Sequence, residues 1–473
     1  MLEVMRWFRA ISSIPRESGN EKEISNFLVN WAKERNLEVH QDSSFNVIIK
    51  KEATEKYKNA PTVIIQGHTD MVCVKTKDSN HNFNTDPIEI IEDNDIVRAN
   101  NTTLGADNGI AIAYGLALLD SNNIEHPKIE LLCTSSEETD MSGALSLKSE
   151  NLSGKIILNI DGEEEDVFIV SSAGGITPII RFNIKKENIN DNGSNLKISI
   201  SGLKGGHSGM EINKQRANAI KILARILYSI REYISIISID GGSKDNAIAT
   251  YSECIIHTNN KEDVENIINK LYKNIKNEYS FEDSDIKINI EEVHNIKETF
   301  SKELSNDIID FLMAIPYGVE YMYNNDELKG LVKSSLNIGV IREFNNKIEV
   351  IVSIRSAEES LLEEINNKIK IIAKRTNAEV EDTAPYPSWK FEKNSKIIEI
   401  IKETYKDFSG REPIITSIHA GLECGILKQL IPDADIVSFG PDIFNVHTTE
   451  EYFNKASVER TWQYLKKLLS HIK

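Results

Sequence analysis

Cysteine is scarce. Cys73, Cys133, Cys254 and Cys424 are the four in 473 residues, and no two of them form a Cys-x-x-Cys. That spacing excludes a thiolate zinc cluster of the usual kind and offers no disulfide framework. A small apolar residue in a core is the simplest role for each. Proline and glycine number 11 and 24, too few for a disordered or fibrous chain. Long apolar runs are also missing. No stretch has eighteen uncharged apolar residues, so no membrane span is expected. The opening Met1-Leu-Glu-Val-Met-Arg-Trp7 has no basic stretch leading into an apolar one, so no signal peptide is expected. An excess of positive charge is missing too. Lys and Arg number 55 against 73 Asp and Glu, a net charge of −18. This argues against nucleic acid and against an anionic membrane surface as partners.

What is present is ordinary for a folded acidic protein of the cytoplasm, with 40% hydrophobic and 27% charged residues. The length predicts two or three domains. Amphipathic helix patterns open the chain around Val4–Ile14 and, after a candidate cap at Ser18 or Asn20, over Glu21–Glu34. Short apolar runs follow, each ending in polar residues: Thr62–Gly67 before His68, Ile129–Thr134 before Glu137 and Glu138, Lys155–Ile160 before Asp161, and Ala434–Phe439 some way before His447. Ile110–Leu119 is apolar on all sides, as a buried helix is. Strands alternating with helices predict an α/β fold with a mostly parallel mixed sheet covered by helices.

The middle of the chain reads differently. Leu196–Ser201, Ile286–Ile290 and Lys347–Ile354 alternate apolar and polar residues, near amphipathic patterns at Ala217–Ile234, Lys261–Lys276, Glu303–Ala314 and Glu358–Ile372. This predicts an inserted α+β domain over 183–385 with one sheet face exposed, and a first domain made of 1–182 and 386–473. The Pro385-Tyr-Pro387 turn is the expected return point.

The acidic and histidine clusters follow the carboxyl ends of predicted core strands, where open α/β sheets place ligands. His68, Asp107 and Glu137 are separated by 39 and 30 residues, and Glu138 and Asp161 by 23, each the length of a strand–helix–strand step. His447 lies 286 residues after Asp161, so only an inserted domain returns it to the same sheet. Taken singly, a His-x-Asp, a Glu-Glu pair or an Asp between glycines is an ordinary surface or turn pattern; their joint placement is what points to chemistry. Two histidines with several carboxylates suit Zn²⁺, Mn²⁺ or Co²⁺. So many carboxylates favour two ions, with Asp107 as the natural bridge. One of the adjacent Glu137 and Glu138 is expected to bind metal and the other to act as general base. Asp70 is placed to orient the His68 imidazole.

These residues in this order resemble the aminoacyl-histidine (Xaa-His) dipeptidases of the dinuclear zinc aminopeptidase/carboxypeptidase/deacylase clan. The matching stretches are Gln66–Lys75, Thr103–Ile110, Glu137–Ala144, Asn159–Glu163, Gly205–Glu211, Ile418–Gly425 and Phe439–Glu450. The resemblance implies hydrolysis of dipeptides with a free amino terminus, two divalent ions, most simply zinc, and a homodimer. It implies that His68 and His447 bind one ion each, that Asp107 bridges them, and that Glu138 and Asp161 complete the two sets. Glu137 would be the general base, Asp70 would orient His68, and a cis peptide would follow Asp107. His207 would stabilise the oxyanion, Asn246 and Arg355 would hold the substrate carboxylate, and Glu423 with Gly421 would meet the substrate amine. His419 would contact substrate or the groups behind it. A tripeptidase or an N-acyl amino acid deacylase of the same clan is the alternative. The remaining histidines, His40, His81, His126, His257, His294 and His471, are read as structural or surface groups, and the four tryptophans as core or interface.

Overall fold

The apolar runs that end in polar residues form the parallel centre of one sheet in a computed structural model, which describes residues 2–473. The sheet has eight strands in the order Glu38–Gln41, Val47–Lys51, Ile129–Thr134, Val63–His68, Ile156–Asn159, Asp435–Ser438, Val167–Ser172, Ile414–Ile418. Ile129–Thr134, Val63–His68, Ile156–Asn159 and Asp435–Ser438 are parallel. Antiparallel pairs join Glu38–Gln41 to Val47–Lys51, Val47–Lys51 to Ile129–Thr134, and Val167–Ser172 to Asp435–Ser438. Val63–His68 and Ile129–Thr134 are buried at every residue, which explains why they read as mostly apolar runs rather than alternations.

Helices Leu2–Ser12, Lys22–Glu34, Ala106–Asp120, Lys396–Ser409 and Lys455–His471 belong to the same unit. Ala106–Asp120 is buried nearly all round, as its composition predicts. Trp7 meets Trp31 edge-on at 5.4 Å and Trp462 stacks on Tyr114 at 5.8 Å, so these tryptophans pack in the core. The expected cap is not used. Lys22–Glu34 starts after Glu21 with no side-chain cap bond, because the Ser18 hydroxyl donates to Asp70 instead. A four-stranded sheet, Ile443–Phe444, Tyr452–Asn454, Ile96–Ala99 and Ile90–Asp93, carries the loop containing His447 between its first two strands.

The chain forms two compact units. The first runs to Ser171 and resumes over Trp389–Ser417 and Leu422–Lys473; the second is Ser172–Ser388 with Ile418–Gly421. The chain enters the second unit before residue 183 because Gly174–Asn183 pairs with Lys347–Ser356 and Glu379–Tyr386 in that unit's sheet.

That sheet is antiparallel, in the order Lys287–Val293, Ser194–Ser201, Ser252–Thr258, Ile234–Gly242, Val332–Phe344, Lys347–Ser356, Gly174–Asn183, Glu379–Tyr386, with Gly318–Met322 paired to Val332–Phe344. Helices Ala219–Ile230, Lys261–Glu278, Lys302–Ala314 and Glu359–Arg375 contribute apolar side chains to one core with it. Ser194–Ser201 alternates in burial as its sequence predicts. Val332–Phe344 and Lys347–Ser356 instead are buried along most of their length, so the expectation of a uniformly exposed sheet face fails there. The helix expected to continue to Ile234 stops at Ile230, and Ile234 begins a strand.

Candidate metal centre

His68 is the last residue of Val63–His68, at its carboxyl end. Gly67 before it lets the helix approach: a Cβ there would lie 2.3 Å from Asn108 Oδ1 and 2.4 Å from the Ala111 Cβ. The His68 amide donates to Asn108 Oδ1 at 3.2 Å, fixing strand end and helix start together. The peptide between Asp107 and Asn108 is cis. His68 Nδ1 lies 3.1 Å from the Asp70 backbone oxygen and 3.4 Å from its Oδ1. An Nδ1–H donated there leaves Nε2 with its lone pair facing the carboxylates, as a metal ligand requires.

Asp107 is the centre of the arrangement. Its Oδ1 is 3.2 Å from His68 Nε2, and its Oδ2 is 3.1 Å from His447 Nε2. Asp161 lies 3.5 Å from His68 Nε2, and Glu138 lies 2.9 Å from His447 Nε2. Each Asp107 oxygen therefore faces a different His–carboxylate pair. Among the described residues, His68, Asp107 and Glu138 offer ligand atoms that all lie within 4.8 Å of one another. This nitrogen and oxygen set, with one carboxylate between two histidines, fits borderline-to-hard divalent ions.

Electrostatics follow from crowding these groups. Burial disfavours the His68 charge, but Asp107, Asp161 and Asp70 outweigh it and hold the imidazole well above its usual range. His447 is pushed up to about 10 by its bonds to Asp107 and Glu138. Asp107 is held well below the usual carboxylate range by the two histidines, against its burial. Without a cation, protons on the histidines offset the carboxylate charge; a metal ion does the same work at the same place.

Glu137 and Glu138 lie in a turn. Asp70 Oδ1 accepts the Glu137 amide at 3.1 Å and Asp70 Oδ2 accepts the Glu138 amide at 3.2 Å. Asp70 thus fixes the turn as well as facing His68. Its own acidity, about 2, is set by His68, Ser18 and the Glu137 amide against burial. Burial holds the Glu137 carboxyl well above the usual range, and the charges of Asp161, Glu423 and Glu138 add to it against His68.

The second unit gathers another set. His207 Nδ1 accepts from the amides of Gly209 and Met210, both at 3.2 Å. Two donors on Nδ1 fix the tautomer with the proton on Nε2, and burial together with Arg355 keeps the ring neutral. Asn246 is in the neighbouring loop, its backbone oxygen accepting from Ser208 at 2.8 Å. Arg355 is buried, donates to the Tyr386 hydroxyl at 2.8 Å, and among the described residues has no partner for its Nε. His419 Nε2 is 2.7 Å from the Ser335 hydroxyl, and burial with Arg355 lowers its pKa to about 3. Gly421 is half-buried two residues on.

Glu423 is the expected contact for the substrate amine. It is fully buried in the first unit, where its Oε2 accepts from Gln66 at 2.6 Å and Thr134 at 2.8 Å. Asn159 in turn donates to Gln66 at 2.5 Å. Glu423 Oε2 is thus held in a polar network, while its Oε1 has no hydrogen-bond partner among the described residues and stays open to a donor. Tyr386, Gln66, Asn159, Arg16 and Glu451 were not singled out from sequence. Gln66 and Asn159 carried a signal, as lone amides inside apolar strands; the others read as ordinary loop residues.

The profile of peptidase family M20/M25/M40 matches residues 64–471. The cytosol non-specific dipeptidase of Escherichia coli is 35% identical over 469 residues, covering 98% of this chain and 96% of that protein. The crystal structure of aminoacylhistidine dipeptidase from Vibrio alginolyticus is similar with a TM-score of 0.95 at 36% identity, over 100% of this chain and 96% of that one. Aminopeptidase PepT from Bacillus cereus, at 16% identity and a TM-score of 0.58 over 100% and 98% of the two chains, shares the fold.

Proposed function

The chain belongs to peptidase family M20/M25/M40 and is a peptide-bond hydrolase, and we propose that it is a metal-dependent dipeptidase acting on Xaa-His and other dipeptides with a free amino terminus. The reading is carried by Asp107, whose two carboxylate oxygens each face a separate His–carboxylate pair, at 3.2 and 3.1 Å. It is supported by the similarity to two proteins whose names are those of dipeptidases. We assign His68 and Asp161 to one divalent ion, His447 and Glu138 to the other, and Asp107 to both, with zinc the first choice and manganese or cobalt the others. Bound ions would polarise the scissile carbonyl and make a water molecule acidic enough to attack near neutral pH.

The remaining steps belong to the protein. Glu137 takes the proton from the attacking water and delivers it to the leaving amine nitrogen; its environment, which favours the protonated form, suits a group that must hold that proton between two transfers. His207, whose Nδ1 accepts from two backbone amides and so leaves the proton on Nε2 to donate, is assigned the developing oxyanion. Arg355 and Asn246 are assigned the substrate carboxylate, which a guanidinium fork matches well. Location in the cytoplasm and assembly as a homodimer complete the reading.

The test is hydrolysis of a free Xaa-His dipeptide by the purified protein before and after chelation, with zinc, manganese or cobalt restored. Activity should vanish with the chelator and return with metal. The one open oxygen of the buried Glu423, Oε1, is assigned the substrate amine, and N-acetylated dipeptides and tripeptides belong in the same assay to test it. Cleavage of either class, with free dipeptides left intact, would replace this reading by the deacylase or the tripeptidase.

A further inference from the structure

Glu451 is 2% exposed, and its carboxylate is filled by backbone donors. Oε2 accepts from the amides of Leu104 at 2.7 Å and Gly105 at 3.0 Å; Oε1 accepts from Ala106 at 2.8 Å and Asp107 at 3.3 Å. Four successive N–H groups converge on one anion because Gly105, with φ +69°, turns the chain back just before the helix. Burial, with the Asp107 charge, still holds the Glu451 carboxyl above the usual range, and the backbone donors work against that rise.

The two ends of this contact matter more than its strength. One end is the backbone of Asp107, which faces both histidines. The other is four residues beyond His447, where the loop enters strand Tyr452–Asn454. Arg16 closes the frame from the opposite side. It is 2% exposed and donates to the backbone oxygens of Gly105, Thr69 and Asp70. Arg16 thereby ties the end of the strand carrying His68 to the turn carrying Asp107, and Glu451 ties that turn to the loop carrying His447. These three chain segments are far apart in sequence and approach through this buried pair.

We propose that Glu451, backed by Arg16, is a positioning residue that sets Asp107 and His447 in register for metal binding. The inference rests on the metal reading given above. A cap that only stabilised the helix would change folding stability and leave metal affinity alone. A positioning residue changes affinity, by roughly 10–100-fold when such an outer group is altered.

The test is metal titration of the chelated protein by calorimetry, using zinc or manganese alone, with wild type and Glu451→Gln. Glutamine keeps the size but turns an NH₂ toward amide donors. The expected result is weaker binding by about 10–100-fold, and Leu465→Ala, a core change in the last helix, should lower the melting temperature without moving affinity. Unchanged affinity in Glu451→Gln, with only a lower melting temperature, overturns the inference and leaves a plain helix cap. Should that variant fail to fold, Arg16→Lys takes its place. It keeps the charge, loses the fork to three carbonyls, and is expected to weaken metal binding as well; wild-type affinity there overturns the inference equally. If wild type itself binds neither ion, the metal reading falls first, and this inference with it.

Discussion

At the scale of single residues, the site is a set of acids and imidazoles whose charges depend on one another. Glu137 is the residue on which the proposed chemistry depends most directly, since it is assigned the proton while Glu138 lies against His447. Glu137→Gln keeps the volume and removes the base. Its kcat on a free dipeptide should fall by about 10²–10⁴-fold, while calorimetric binding of divalent ions to the chelated variant should stay close to wild type. Cleavage at the wild-type rate would remove Glu137 from the mechanism, and loss of metal binding would make it a ligand instead. The candidate ligands were singled out in sequence because each lies after an apolar run or, for Asp107, just before one, and is a group that chemistry needs. Glu451 was not, because in Thr448-Thr-Glu-Glu451 an acidic pair looks like solvated charge; only the fold reveals that it is 2% exposed. Glu423 was singled out by its sequence neighbourhood; only the fold shows that it is fully buried, with Oε2 held by Gln66 and Thr134 and Oε1 without a hydrogen-bond partner among the described residues.

At the scale of elements, the site depends on one strand and one helix coming unusually close. Gly67 on the strand permits it, because a Cβ there would lie 2.3 Å from Asn108 Oδ1 and 2.4 Å from the Ala111 Cβ. Neither obstacle is the free end of a long side chain, so helix and strand must separate to admit a methyl group. Gly67→Ala is therefore expected to cost about 1–3 kcal/mol of stability, as overpacking does, measured by urea unfolding. It should also weaken metal binding, since His68 and Asp107 are carried by the two elements that part. Adding Ala111→Gly removes one of the two clashes and should recover part of both losses; no recovery would assign the effect to the Asn108 contact alone. The elements themselves were readable from sequence for a physical reason. Strands buried on both faces, such as Ile129–Thr134, leave mostly apolar runs, and a helix such as Ala106–Asp120, apolar on all sides over Ile110–Leu119, leaves no polar stripe there. Where elements begin and end was less readable. Ser18 has the chemistry of a cap yet spends its hydroxyl on Asp70, and Gly174–Asn183 joins the second unit's sheet through partners at 347–356 and 379–386 that local pattern cannot announce.

At the scale of the whole molecule, folding, protonation and metal binding are linked through the same histidines. In the metal-free protein His447 keeps its proton up to about 10, because its bonds to Asp107 and Glu138 outweigh its partial burial. An unfolded histidine titrates at about 6.5. A folded value above the unfolded one means that this group's contribution to stability is complete below about pH 6.5 and is lost as pH rises through about 10. His68 shifts in the same direction. The metal-free protein should therefore have a melting temperature that declines as the pH is raised from about 6.5. Divalent ions bind the neutral imidazole, so they must displace these protons. Apparent affinity should rise over the same range, and the melting-temperature gain on adding metal should grow as the metal-free protein weakens. Calorimetric titrations near pH 7.5 in buffers of different ionisation enthalpy measure the displaced protons directly. Release of protons on binding is expected, and release should fall in His447→Ala, where one source is gone. Binding without release would mean that both imidazoles are already neutral in the metal-free protein, and the ion pairs at 3.1 and 2.9 Å around His447 would then be ordinary hydrogen bonds rather than a charge held ready for exchange.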